Sequence, residues 1–460
     1  MSDKNKIMTW ERLISCARWN EHHASPRNTE TKKHFESGGD SRNPFERDYG
    51  RILYSWAFRR LQDKTQVFPL GRNDYVRTRL THSLEVAYVG RSLGEALGNR
   101  LAAGELAGAE VAAQLGSSVG SAVASACLAH DIGNPPFGHA GEKAIESAFE
   151  KHGFPIAFEG NAQGFRLLTK IGGDSMDGFG LKLTAGTLGA FMKYPCSESF
   201  LNEVKSGRIV PENRLESKKF SFSDTEIEAA RFVAETCGLL VREDAGRLLA
   251  FARHPFAFLV EAADDLSYLI ADLEDAFNTG IIAYSDVKEH LSGFWENAEN
   301  RPAIEARLAK LEAGVSRRSA VNYMRATAIG QGIRAADRAF AENEKAILAG
   351  TSEASLFMCS SLKEKIKRLR AFSASRIYCA HAVESVELMG FQVVSSLAEF
   401  FIDWVNAPQS AKGKKTASVF NLKDAGTPEE RVREVVDYIS GMTDSFALAT
   451  YRKINGIAEC

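Results

Sequence analysis

Residues 122–153, AVASACLAHDIGNPPFGHAGEKAIESAFEKHG, constrain the fold more than any other stretch of the chain. Val123, Ala126 and Cys127 precede His130 at helical spacing, so a helix here turns His130 toward its apolar side. That helix must stop near Gly133-Asn134-Pro135-Pro136, because successive prolines lack amide donors and clash with the preceding turn. HAGEKAIESAFEKHG resumes the 3.6-residue period and ends on Gly153 as a C-cap. A helix thus delivers the pair His130-Asp131 inward, and a second helix starts directly behind it.

The rest of the chain repeats this helical character. Phe45, Ile52, Leu53, Trp56 and Leu61 are spaced as one apolar stripe, while VFPLGRNDYVRTR reads as a loop. Thr81 is a candidate N-cap for HSLEVAYVGRSLGEAL, where Val86, Val89 and Leu93 share the face of His82. A short helix is expected around Trp10–Trp19. Residues 100–126 are rich in Ala, Gly and Ser, and KIGGDSMDGFGLKLTAGT is the loosest part of a mixed region. Phe220-Ser221-Phe222-Ser223 is the best candidate for a short strand, and from residue 226 onward the pattern is almost wholly helical. The expected class is mainly α, a multi-helix fold with few or short strands. Its expected divisions are a polar arm (1–43), a catalytic core (44–290) and a helical C-terminal region (291–460).

Composition narrows the function classes. Hydrophobic residues make up 44% and charged residues 25% of 460, the balance of a globular protein with a sizeable core. Lys plus Arg is 57 against 59 for Asp plus Glu, which argues against coating nucleic acid through bulk charge. The 7 cysteines form no CxxC pair, as expected of reduced thiols rather than a disulfide framework. MSDKNKIMTWERL lacks the apolar run of a signal peptide, and no apolar run is expected to approach the roughly 18 residues of a membrane span. The expected location is the cytoplasm.

The chemistry lies in three helices read together. EAADDLSYLIADLEDAF places Asp264, Tyr268 and Asp272 in one polar row, with Leu266, Leu269, Ile270 and Leu273 on its apolar face. His82, His130, Asp131 and Asp264 would supply imidazole and carboxylate ligands without sulfur. Such a set suits Mn²⁺, Fe²⁺, Co²⁺, Ni²⁺ or Zn²⁺, and Mg²⁺ with substrate phosphates. His139 and Glu142 stand at i, i+3 on one helix face, where a carboxylate can fix an imidazole's tautomer for acid–base work.

HDIGNPPFGHAGE, RTRLTHSLEV, EAADDLSYLIADLEDA and ERDYGRILYSWAFRRLQDKTQVFPL together resemble the HD superfamily. Within it, they resemble the deoxyguanosine triphosphate triphosphohydrolases. The resemblance implies metal ligands His82, His130, Asp131 and Asp264, with Asp265 the near alternative to the last. It implies His139 and Glu142 as catalytic groups, and Arg79, Asn161, Lys193 and Tyr194 at the phosphates. Gln66, Tyr268 and Asp272 would hold the deoxyribose. The implied reaction is hydrolysis of dGTP or other dNTPs at the α-phosphorus, releasing deoxynucleoside and triphosphate. The alternatives are an HD phosphohydrolase of another nucleotide, or a nucleotide or single-stranded DNA sensor. The resemblance also implies a homo-oligomer, hexamer or tetramer, with single-stranded DNA or a nucleotide as effector. Residues around RIYCAHAVESVELMGF are where the base would be read.

Overall fold

The computed structural model describes residues 7–22, 41–68, 75–106, 114–173, 178–314, 316–423 and 426–457. Much of the polar arm, the centre of the VFPLGRNDYVRTR loop (69–74) and part of the loose glycine-rich segment (174–177) lie outside the described residues. What is described is mainly α, with a single two-stranded antiparallel sheet.

Helix α1 (Pro44–Leu53) begins with Pro44 at N1 and Asn43 as N-cap, its side chain accepting from the Phe45 and Glu46 amides. The chain then breaks at Tyr54 and Ser55 before a short helix, Trp56–Arg60. The expected single stripe is therefore carried by two helices, and of it Phe45, Ile52 and Leu61 are fully buried. The expected helix around Trp10–Trp19 is likewise two single turns, Trp10–Leu13 and Trp19–His22.

Helices α2 (Arg79–Ala102) and α3 (Gln114–Ala129) form the centre of the main core. Their small residues explain the composition of residues 100–126. A Cβ on Gly98 would come 2.2 Å from the Gly116 carbonyl oxygen, and one on Gly94 would come 2.9 Å from Gly120 Cα. Only glycines let the two backbones approach this closely, and that approach brings the histidine of each helix into one space. The N-cap of α2 is Thr78, with Thr81 completing the capping box at N3. Thr81 is not itself the cap: its helical position lets its hydroxyl reach back to the Thr78 amide.

Helix α3 stops at Ala129, leaving His130 and Asp131 in the turn before the prolines. Helix α4 (Gly138–Lys151) follows, then α5 (Ala185–Phe191). The strands are β1 (Val241–Ala245) and β2 (Leu248–Phe251), not the FSFS segment. Phe220 and Phe222 alternate into the core, yet their backbone meets residues 196–198 only through isolated bonds, so no ladder forms. β1 is largely exposed and polar, which hides it from an apolar periodicity.

Helix α6 (Pro255–Asn278) packs against α2 and α3; His254 caps it, its ring Nδ1 accepting from the Phe256 amide at 3.1 Å. Helices α7 (Arg317–Leu348) and α8 (Lys363–Arg376) extend the main core. A second apolar cluster joins Phe137, Ile145 and Phe149 to α9 (His381–Asn406), α10 (Pro428–Ser440) and α11 (Asp444–Ile454), through Phe401, Val435, Ile439 and Ala447. α4 therefore has the C-terminal helices as its roof. Contrary to expectation, α9 is long and apolar enough to cross a membrane, with a mean hydropathy of 1.3. Its C-terminal half packs in the second cluster, and Val383 and Val386 of its N-terminal half line the cavity described next, while Leu388 is exposed.

Candidate metal centre and substrate cavity

His82 sits one turn into α2 on the face of Val86, Val89 and Leu93, all buried. One ligand atom each from His82, His130 and Asp131 falls within 4.8 Å of the others. Asp264 Oδ1 lies 3.3 Å from His82 Nε2 and 3.5 Å from His130 Nε2. The four residues expected from the sequence thus converge from α2, the turn after α3, and α6. The alternative, Asp265, points elsewhere, to Arg370 Nη2 at 2.6 Å.

The orientations of these groups follow from their partners. His130 Nδ1 is 2.8 Å from the Cys127 carbonyl, which can only accept. Nδ1 therefore carries the proton, and Nε2 turns a lone pair toward His82 and Asp264. His82 is 1% exposed, and neither ring nitrogen has a hydrogen-bond partner among the described residues. A buried imidazole without a well-formed hydrogen bond is costly, and a cation bound between Nε2 and Asp264 would satisfy that nitrogen. Burial raises the pKa of Asp131, but Arg79 Nη1 at 2.6 Å, with His130 and His82, holds it well below the carboxylate range. Asn134 donates to its other oxygen. Two imidazoles and two ionised carboxylates fit a divalent cation.

Arg79, His130, Asp131, Asn134 and Asp264 line a cavity of about 550 Å³, with His82 buried behind them. At its rim His139 Nδ1 stands 2.8 Å from Glu142 Oε2, with most of the imidazole exposed to the cavity and solvent. Glu142 accepts the Gly160 amide on its other oxygen at 3.1 Å, which fixes the carboxylate from behind. Lys193 and Tyr194 also line the cavity. Burial opposes the Lys193 charge, but Glu261 at 3.6 Å and Asp264 at 4.0 Å raise its pKa, so it is an ammonium. Asn161 reaches the cavity with its amide donating to Glu159 Oε1 at 2.6 Å.

Gln66, Tyr268 and Asp272 line the cavity with these residues. Gln66 Oε1 is buried without a hydrogen-bond partner among the described residues. Asp272 is pushed up to about 7 by burial, and the Tyr378 hydroxyl donates to its Oδ2 at 2.7 Å.

Several lining residues escaped the sequence reading. Glu159 and Lys219 pair at 2.9 Å beside Asn161, and Arg253 holds Glu261 at 2.7 Å behind Lys193. They come from segments without a recognisable spacing. Tyr378, Val383, Val386 and Glu387 fall within the segment marked for base reading, but no pattern there singled them out.

Comparison with known proteins bears on the whole chain. Residues 79–171 match the HD domain, and residues 356–453 match the phosphohydrolase-associated domain. A deoxyguanosinetriphosphate triphosphohydrolase-like protein of Synechocystis sp. is 37% identical over 98% of this chain and all of its own length. One from Listeria monocytogenes is 32% identical over 98% of this chain and all of its own. A deoxyguanosinetriphosphate triphosphohydrolase of Yersinia enterocolitica is 30% identical over 89% of this chain and 93% of its own. With its HD-type cluster in place, the chain belongs to the deoxyguanosinetriphosphate triphosphohydrolase-like family of HD phosphohydrolases.

Proposed function

We propose that the protein hydrolyses deoxynucleoside triphosphates, dGTP first among them, to the deoxynucleoside and inorganic triphosphate. The observation that carries this reading is one cavity lined both by His130, Asp131 and Asp264, with His82 buried against them, and by Gln66, Tyr268 and Asp272. Metal-type ligands and sugar-sized polar groups lining one cavity suit a nucleotide that touches both.

A divalent cation held by the four ligands, with Mn²⁺ or Mg²⁺ the first to try, would polarise an α-phosphoryl oxygen and lower the pKa of water. Arg79, Lys193 and Lys219 offer positive charge to a triphosphate that carries about four negative charges near neutral pH. Their carboxylate partners keep them in place until the phosphates arrive. Water adds to the α-phosphorus, giving up one proton to solvent, and the Pα–O5′ bond breaks. His139, held through Nδ1 by Glu142, gives a proton from Nε2 to the leaving 5′-oxygen. Tyr268 packed against the sugar leaves no room for a 2′-hydroxyl, while Asp272 accepts from the 3′-hydroxyl and the Gln66 amide donates to its oxygen.

Glu387 is the one carboxylate lining the cavity without a hydrogen bond or ion pair among the described residues. Guanine alone of the four bases presents two adjacent donors, N1–H and the 2-amino group, on its pairing edge, and a carboxylate accepts both. This favours dGTP. It also makes residues 291–460 the part that completes the pocket of a catalytic core spanning 44–290.

The test is incubation with each dNTP and Mn²⁺ or Mg²⁺, followed by anion-exchange separation. Deoxyguanosine plus intact triphosphate from dGTP supports the reading. Pyrophosphate with a monophosphate, or no product from any dNTP, overturns it.

A further inference from the structure

The turn between α10 and α11 grips the catalytic core at two places that both border the cavity. Asp444, 1% exposed, divides its carboxylate between them. Oδ2 accepts from the Thr65 amide at 2.9 Å and the Thr65 hydroxyl at 2.5 Å. Oδ1 accepts from the Phe137 amide at 2.9 Å. Thr65 immediately precedes Gln66. Phe137 immediately precedes α4, the helix of His139, and holds the left-handed conformation at φ 59°, uncommon for a bulky residue. α9 reinforces this contact, since Gly390 meets Phe137 so closely that a Cβ would lie 2.5 Å away.

Neighbouring contacts follow the same plan. Lys64 Nζ, on a side chain 3% exposed, joins the Ser440 carbonyl at 2.8 Å to the Asn134 carbonyl. Arg60 Nη1 donates to the Gly441 carbonyl at 2.7 Å, and Ser445 Oγ to Asp63 Oδ1 at 3.0 Å. The segment before Gln66 and the turn before His139 are thus tied to one rigid corner of the C-terminal helices.

We propose that Asp444 is a positioning residue that sets the separation between Gln66 and the His139 helix, both of which line the cavity. The inference rests on the proposed dNTP hydrolysis. An isosteric amide cannot replace this carboxylate. Asn carries one acceptor oxygen, so its Nδ2 would face either the Phe137 amide or the Thr65 donors, donor against donor.

The experiment compares kcat/KM for the best deoxynucleoside triphosphate with kcat/KM for its 2′,3′-dideoxy counterpart. This ratio reads the grip on the 3′-hydroxyl and does not change with the fraction of protein folded. Asp444→Asn is expected to shrink the wild-type preference for the 3′-hydroxyl about tenfold, the factor a lost buried hydrogen bond carries. Gln66→Ala should shrink it equally, and the double variant no further. Thr65→Val, which removes only the hydroxyl, should shrink it in the same direction by a smaller factor and guards against loss of the fold. An unchanged preference in Asp444→Asn, beside a reduced one in Gln66→Ala, overturns the inference and leaves the hydrolase reading standing. An unchanged preference in Gln66→Ala also overturns it. A wild type that turns over no dNTP overturns the functional reading and the inference with it.

Discussion

The Tyr378 hydroxyl donates to Asp272 Oδ2 across 2.7 Å, joining the loop before α9 to the third member of the polar row on α6. Burial pushes the Asp272 carboxyl up to about 7, and the tyrosine bond acts against that rise. Oδ2 is thereby occupied, which leaves Oδ1 for a ligand hydroxyl. Tyr378→Phe should free the carboxyl to rotate and raise its pKa further. We expect kcat/KM for a dNTP to fall about tenfold at pH 7, mainly through KM. Steady-state kinetics check this, and a loss confined to kcat would count against the role given to Asp272.

Metal removal should reveal itself in stability as well as activity. Without a cation, His82 remains buried with only the 3.3 Å approach of Asp264 Oδ1 to its Nε2, beside two ionised aspartates. A ligand at a hundredfold its dissociation constant adds about 2.7 kcal/mol to the folded state. Chelation should therefore lower the Tm of the wild type, and added Mn²⁺ should restore it. His82→Gln should show a Tm indifferent to chelator and Mn²⁺. Equal Mn²⁺ stabilisation of both proteins would remove His82 from the ligand set.

The parts of this site legible in the sequence were those carried on single helices. Val86, Val89 and Leu93 put His82 on a buried face, and the row Asp264, Tyr268, Asp272 emerged from spacing alone. Helical phase also favoured Asp264 over Asp265, whose partner Arg370 lies on α8. What spacing could not reveal were contacts between distant segments. Asp444 reaches Thr65 and Phe137, and Lys219 reaches Glu159, only once the helices have packed. The β1–β2 hairpin was hidden for another reason: the exposed side chains of β1 show no alternation, so tertiary context decided its conformation.

Glu387 tests base choice. As a carboxylate it accepts from both donors of guanine's pairing edge, whereas adenine and the pyrimidines cannot satisfy both of its oxygens. Glu387→Gln keeps the shape and replaces one acceptor by a donor. Glu387 is exposed, so the ratio of kcat/KM for dGTP over dATP should fall by about threefold rather than by the full cost of a buried mismatch. Competition assays with mixed dNTPs measure that ratio directly. An unaltered ratio would move guanine recognition to another wall of the cavity.

His254 predicts how the fold responds to acid. Its ring is fully buried; Nδ1 accepts from the Phe256 amide, so Nε2 carries the proton and donates to the Leu13 carbonyl at 3.1 Å. Burial lowers its pKa to about 4 from the usual 6.5. Between those values the unfolded chain binds a proton that the folded chain refuses. Stability is therefore full above about pH 6.5 and is lost as pH falls toward 4, by up to about 3 kcal/mol. His254→Asn keeps an acceptor for the Phe256 amide but cannot titrate. Urea unfolding from pH 7 to pH 4.5 should show the wild type's advantage over this variant shrinking by about 2 kcal/mol, since other titrating groups act on both proteins alike. An advantage that stays constant across that range would mean that the folded ring takes up its proton as readily as the unfolded one, and the cap on α6 would need another donor arrangement.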